Sequence, residues 1–196
     1  MTSGASEVDL WSRAIDDDAI AFGRVFEMHA DRVFGHCLRL TQSSADADDV
    51  TALVFLEAWR RRKAVPVIDG SIIGWLLVTA NYTARNLARS MRRHRLAMSK
   101  LPLLVDEPDP TSAVDHRIDA AANDIGVMVA FSSLSRHDQD VLALCVLEEL
   151  SLAHAAHALR VPIGTVKSRL SRAKARLARA VRESSVQANA VLEGTS

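Results

Sequence analysis

The chain has 196 residues, 48% hydrophobic and 24% charged, with zero formal net charge at pH 7 and two cysteines. That balance excludes a disordered chain and a disulfide-stapled secreted one. No apolar run approaches the roughly 18 residues that cross a bilayer, and the acidic start lacks the basic flank of a signal peptide, so the expected location is the cytoplasm, without membrane insertion.

The zero net charge hides an alternation. Residues 1–60 carry a net of −6, 61–100 a net of +8, 101–150 a net of −8 and 151–196 a net of +6. Two separate basic segments suggest two contacts with a polyanion. Eight glycines and five prolines leave long stretches uninterrupted, which predicts an all-α chain.

Residues 19–40 read as one amphipathic helix. Phe22, Phe26, His29, Val33, Cys37 and Leu40 recur at spacings of three or four, with Asp18 as the N-cap. A second helix spans about 45–63, acidic at its start and basic at its end, which complements the helix dipole. Its expected core stripe is Ala52, Phe55, Leu56 and Trp59, but Leu53 and Val54 fall on the other side. A helix apolar on both faces is covered on both, by the fold or by a partner.

A loop with Pro66, Gly70 and Gly74 precedes a third helix over about 72–95, with Leu76, Ala80, Thr83, Leu87 and Met91 inward. Another of its faces carries Asn81, Arg85, Arg89 and Arg92. Residues 99–112 form an acidic linker punctuated by Pro102, Pro108 and Pro110, which separates a first domain (1–98) from a second (113–183). Helices are expected at about 112–132, 136–148, 152–159 and 162–182, followed by a fraying tail over 184–196.

The segment from Leu150 to Leu177 carries the most specific signal. A short helix, a tight turn and a helix with Pro162 at its first position make a helix-turn-helix pattern. Val166, Leu170, Ala173 and Leu177 pack inward, while Lys167, Ser168, Arg169, Ser171, Arg172, Lys174 and Arg176 lie along the opposite side. Such a helix, about 10–12 Å across, fits the major groove, where Lys and Arg donate to guanine.

The run Val161–Pro162–Ile163–Gly164–Thr165–Val166–Lys167–Ser168–Arg169–Leu170, followed by Arg172–Ala173, resembles the region 4 recognition helix of sigma-70 family transcription initiation factors. Leu134–Ser135–Arg136 and Val141–Leu142 resemble the preceding helix. Ala47–Asp48–Asp49–Val50, Phe55 to Arg60, Trp75–Leu76 and Ala80–Asn81 resemble region 2. Two matches in order, joined by a short linker and covering roughly residues 19–182, resemble the extracytoplasmic-function (ECF) group.

The resemblance implies two small helical domains and, as partners, core RNA polymerase, promoter DNA and an anti-sigma factor. Asp49, Leu53, Glu57 and Arg60 would then face polymerase. Trp75, Asn81, Arg85, Arg89 and Arg92 would meet the −10 element, and Thr165, Lys167, Ser168, Arg169 and Arg172 the −35 element. Alternatives stay open: a stand-alone helix-turn-helix regulator, or a sigma-like decoy that holds polymerase without initiating.

The chain departs from the family pattern at Ala52 and Leu53, usually a polar pair, and at Arg160, usually glycine in the turn. It departs again at Asp138 and Asp140, where arginines are common. No nucleotide loop, nucleophile motif or metal cluster is present, so no enzyme, cofactor or metal is expected. His154 and His157 lie three apart without a cysteine or carboxylate at matching spacing, and read as structural.

Overall fold

The computed structural model describes residues 5–98, 130, 131 and 133–193. The linker and nearly all of the expected 112–132 helix lie outside these residues. Helix α1 is Glu7–Ile15, α2 Ala19–Thr41, α3 Ser44–Arg60 and α4 Ile73–Met98. Further along come α5, Arg136–Leu142, then α6, Leu152–Leu159, and α7, Ile163–Glu193.

Helix α1 was not anticipated from the acidic N-terminus. Its start is a capping box, in which Ser6 accepts from the Asp9 amide and the Asp9 carboxylate accepts from Ser6. It buries Leu10, Trp11 and Ala14. Trp11 is 1% exposed and packs with its ring tilted 45° to Phe22 at 6.1 Å, and Phe22 meets Trp59 edge-on at 5.0 Å. Truncating Trp11 would cost about 3–5 kcal/mol by the usual behaviour of buried tryptophan.

Asp18 caps α2 as expected, accepting from the Ile20 and Ala21 amides at 3.0 Å, while Arg13 pairs with its other oxygen. Those amide bonds and Arg13 hold its carboxyl below the ordinary aspartate value.

The inward faces of α2 and α3 are rotated from the expected stripes. Helix α2 buries Ala21, Val25, His29, Val33, His36 and Cys37 and leaves Phe26 41% exposed. Helix α3 buries Ala47, Val50, Thr51, Val54, Phe55 and Ala58. Ala52 and Leu56, expected inside, are outside, whereas Val54 is fully enclosed. The reason is steric: α3 packs against both α2 and α4. Small residues let the backbones approach, so Ala47, Val50, Val54 and Ala58 win the contact over larger neighbours.

The loop before α4 is a tight hairpin. Ile68 and Ser71 exchange amide bonds of 2.9 and 3.0 Å around Asp69 (φ 52°) and Gly70 (φ 80°), two consecutive left-handed residues as a type I′ turn requires. Glu7 on α1 then caps α4, accepting from Ser71 Oγ at 3.0 Å and the Ile72 amide at 2.7 Å. His29 Nε2 also lies 2.9 Å from the carboxylate. Burial alone would raise the Glu7 carboxyl, but His29 and these donors outweigh it and lower it.

In the second half, α5 ends in a π-helical turn, Ala143–Leu147, in which the Glu148 amide reaches back five residues to the Ala143 carbonyl at 3.0 Å. The expected single helix over 136–148 is therefore interrupted. Pro162 is the cap residue just outside α7, its carbonyl accepting from Thr165 and Val166. Helix α7 continues to Glu193, well past the expected end near Arg182, because no glycine or proline intervenes before Gly194.

The two halves share one core. Val141, Leu144, Ala155, Ala156 and Val166 belong to the same buried cluster as the α1–α4 residues. A smaller cluster of Leu134, Leu142 and Ala173, flanked by Phe131, Leu170 and Leu177, sits under α7. Cys37 and Cys145 are free thiols, both pushed up by burial.

Candidate nucleic-acid interface

The helix-turn-helix forms as the sequence predicts. Ser151 caps α6 through the His154 amide, and Arg160 closes it in the left-handed region at φ 55°, ψ 46°. A non-glycine residue there costs on the order of 1 kcal/mol. Val166 and Ala173 are fully buried, which turns the opposite side of α7 outward. Lys167, Ser168, Arg172 and Lys174 are exposed there, with Thr165 and Arg169 half-buried beside them. Ser168 Oγ donates to the Thr165 carbonyl and Arg172 Nε to the Ser168 carbonyl, so both rest along the helix with groups free for a ligand. Arg176 is engaged instead, 2.8 Å from Asp138 on α5. Asp138 thus ties the recognition helix to the helix behind it.

The candidate polymerase face is equally open. Asp49, Leu53 and Arg60 are exposed on α3, and Leu53 and Leu56 are 48% and 52% exposed. Glu57 is half-buried and pairs with Arg61 at 2.5 Å and Arg60 at 3.6 Å. Leu53 and Glu57 rim a groove of about 830 Å³ whose far wall includes Trp75, Tyr82 and Arg160. The fold covers one apolar side of α3, at Val54, and leaves the other bare.

The candidate −10 face is only partly open. Arg89 and Arg92 are exposed as expected, Tyr82 is 55% exposed, and Trp75 is half-buried. Asn81 and Arg85 are engaged within the fold. Asn81 is 2% exposed, its Nδ2 donating to Asp140 Oδ1 at 2.8 Å and its Oδ1 lying 2.9 Å from His36 Nε2. Arg85 pairs with the same Asp140 oxygen, and its guanidinium lies 5.8 Å from the Tyr82 ring centre. The cause is long-range. One turn apart on α4, these residues face the very surface on which α5 rests.

A second cluster, which sequence reasoning missed, lies beside the first. The π-helical turn swings Glu148 toward α2, where it is 5% exposed. Arg32 Nε donates to its Oε2 at 3.0 Å, His36 Nδ1 lies 3.0 Å from its Oε1, and Arg39 pairs with that same oxygen. Arg32 also donates to the Glu148 carbonyl at 2.5 Å. Burial would raise this carboxyl. Hydrogen bonds from His36 and Arg32, with the charges of His36 and Arg39, overcome that and hold it at about 2. Four elements are thereby joined through one relay: Glu148, His36, Asn81 and Asp140. Block charge marked only half of this: Asp140 meets Arg85 of the basic 61–100 segment, whereas Glu148 meets Arg32 and Arg39 of a segment that is acidic overall.

At the other end of the interface α6 crosses α4 at Gly74. His154 is buried there at 8% exposure, with Nδ1 3.8 Å from Asp69. Among the described residues no group of His, Cys, Asp and Glu side chains could hold a metal ion, and no helix is long and apolar enough to cross a membrane.

Comparison with known proteins agrees with this architecture. The Sigma-70 region 2 family matches residues 25–94 and the Sigma-70, region 4 family residues 126–177. The chain belongs to the sigma-70 family, as a member of its ECF group. ECF RNA polymerase sigma factor SigE of Mycolicibacterium smegmatis is 28% identical over 163 residues, covering 80% of this chain and 60% of that protein. SigK of Mycolicibacterium vanbaalenii is 26% identical, covering 84% of each. Among solved structures, CnrH in complex with the cytosolic domain of CnrY superposes with a TM-score of 0.63 at 20% identity, over 91% of this chain and 99% of that one. Sigma factor RpoE of Bartonella quintana, in complex with the anti-sigma factor NepR, superposes with a TM-score of 0.55 at 19% identity, over 82% and 96%. These two likenesses concern the fold.

Proposed function

We propose that this protein binds core RNA polymerase and directs it to promoters by reading a −35 element with α7 and opening a −10 element with α4. The observation that carries the reading is the pairing of two exposed faces the fold itself does not use. One is the basic side of α7 behind a correctly built helix-turn-helix. The other is the Leu53–Leu56 side of α3, apolar yet bare.

On α7, Lys167, Ser168 and Arg172 stand where base edges of a duplex would lie, and Thr165 and Arg169 flank them toward the phosphates. On α3, Asp49, Leu53, Glu57 and Arg60 recur at spacings of four, four and three and offer polymerase an apolar strip bounded by charge. On α4, Arg89 and Arg92 contact the strand backbone; Trp75, Asn81 and Arg85 meet unpaired bases once α5 withdraws. An anti-sigma factor is part of the proposal, because a protein of this fold, RpoE, was solved with one. Such a partner would cover the faces that polymerase and DNA need.

The test is run-off transcription with core polymerase and fragmented genomic DNA from the source organism. Discrete transcripts sharing two upstream elements are expected, and Leu53→Glu abolishes them by removing core binding. Core binding without transcripts favours the decoy reading. No core binding by the native chain refutes the proposal.

A further inference from the structure

We infer that α1 braces the loop between α3 and α4, with Glu7 and Asp17 as positioning residues that hold this loop beside the −10 face for promoter opening. The inference rests on the proposed reading of α4 and deepens it. The −10 surface extends onto residues 61–72, and a helix that touches no DNA keeps that extension in place.

Both ends of the loop are fastened to the segment 7–17. At the far end Glu7, whose side chain is 9% exposed, accepts from Ser71 Oγ at 3.0 Å and from the Ile72 amide at 2.7 Å. At the near end Arg62 pairs with Asp17 and donates to the Trp59 carbonyl at 2.7 Å. Its guanidinium lies 4.3 Å from the Trp59 ring centre. Trp59 ends the aromatic row begun by Trp11 and Phe22, so α1 reaches the loop through packing as well as through charge. Helix α1 lies ahead of residues 25–94, the span matched to region 2.

The loop adjoins the aromatic side chains of α4. Arg61 shares a groove with Trp75, Thr79 and Tyr82, and both Arg61 and Lys63 are exposed. An unpaired strand stacked on those rings would find loop cations for its phosphates. A loop fixed before the strand arrives spares that step the entropy of ordering it. The two anchors differ in what they do for folding. The Asp17 side chain is 66% exposed, and an ion pair so open to water contributes little stability, so its effect falls on where the loop stands. Glu7 is enclosed, and its loss strands the Ser71 hydroxyl and the Ile72 amide without their acceptor.

The experiment uses the full chain with core RNA polymerase and the promoter recovered by run-off, labelled with 2-aminopurine in the −10 element. Asp17→Asn, Glu7→Ala and Glu7→Gln are compared with the native chain. Stopped-flow fluorescence at increasing holoenzyme concentration separates closed-complex affinity from the rate of opening. Core binding and helix content by circular dichroism are measured alongside. Opening is expected to slow about threefold in Asp17→Asn and about tenfold in Glu7→Ala, with core binding and closed-complex affinity unchanged. Glu7→Gln keeps an acceptor oxygen for Ser71 and Ile72 and should open at close to the native rate.

An Asp17→Asn chain that opens promoter at the native rate overturns the brace, whether or not Glu7→Ala folds. A Glu7→Gln chain as slow as Glu7→Ala overturns it too. So does an Asp17→Asn defect that falls on core binding or helix content instead of opening, because that is a purely structural role. Failure of the native holoenzyme to open the promoter refutes the reading of α4 and the brace with it, whereas native opening with unaffected variants refutes the brace alone.

Discussion

Gly74 is the point at which the contact between regions 2 and 4 can be tested by one methyl group. A Cβ at this position would stand 2.8 Å from both Cδ2 and Nε2 of His154 and 3.2 Å from Cβ of Ala158. The His154 ring is buried, so it cannot swing aside without moving α6 or opening a space. Two terms of opposite sign follow. In α4 alone, Gly74→Ala favours the helix by up to about 1 kcal/mol. Across the interface, overpacking costs about 1–3 kcal/mol. Region 2 should become slightly more stable while docking weakens by a factor of roughly 5 to 150, at 1.4 kcal/mol per decade. Native-state hydrogen exchange reads both effects, with faster exchange in α6 and unchanged or slower exchange in α2 and α3. Combining the change with His154→Ala should recover much of the loss, because the ring is the obstacle. If Gly74→Ala raised protection in α6, or left it unchanged, the close approach of the two helices would be refuted.

Three further outcomes follow from the same geometry. The Glu148 carboxyl is held at about 2, below its ordinary 4.5, so its contribution is complete above pH 4.5 and lost as pH falls toward 2. Scattering should accordingly show a docked chain at pH 5–7 and opening only in that acid window; opening already at pH 6 would point to another group. Arg160→Gly relieves a left-handed residue and should raise stability by about 1 kcal/mol, seen as a higher denaturant midpoint; an unchanged or lower midpoint refutes the strain. Arg169→Ala should weaken −35 duplex binding and reduce the magnitude of its salt slope by about 1, as loss of a phosphate contact does. An unchanged slope with relaxed base preference would place it on a base edge.

Much of this protein was legible without coordinates, wherever the signal is local. Capping by Asp18, the all-α class and the helix-turn-helix all depend on neighbours within a few residues. So does the outward basic side of α7, because Val166, Leu170 and Ala173 can pack on only one side. The resemblance to regions 2 and 4 rested on equally local runs of residues.

Other features needed the assembled chain. Helical spacing along α3 suggested Leu56 inside and Val54 outside; the structure reverses them because two flanking helices demand small residues at the closest approach. The chain by itself marked Asn81 and Arg85 as a face of α4 and Asp140 and Glu148 as acidic. It could not show that these meet, because they lie 59, 55, 112 and 109 residues from their partners in four of the bonds described, and pairing at that range depends on how whole helices pack. The π-helical turn that aims Glu148 at α2 leaves no mark in composition. Local physics therefore determined which elements this chain forms and which side of α7 faces out, while tertiary packing alone decided which functional side chains stand open and which are covered.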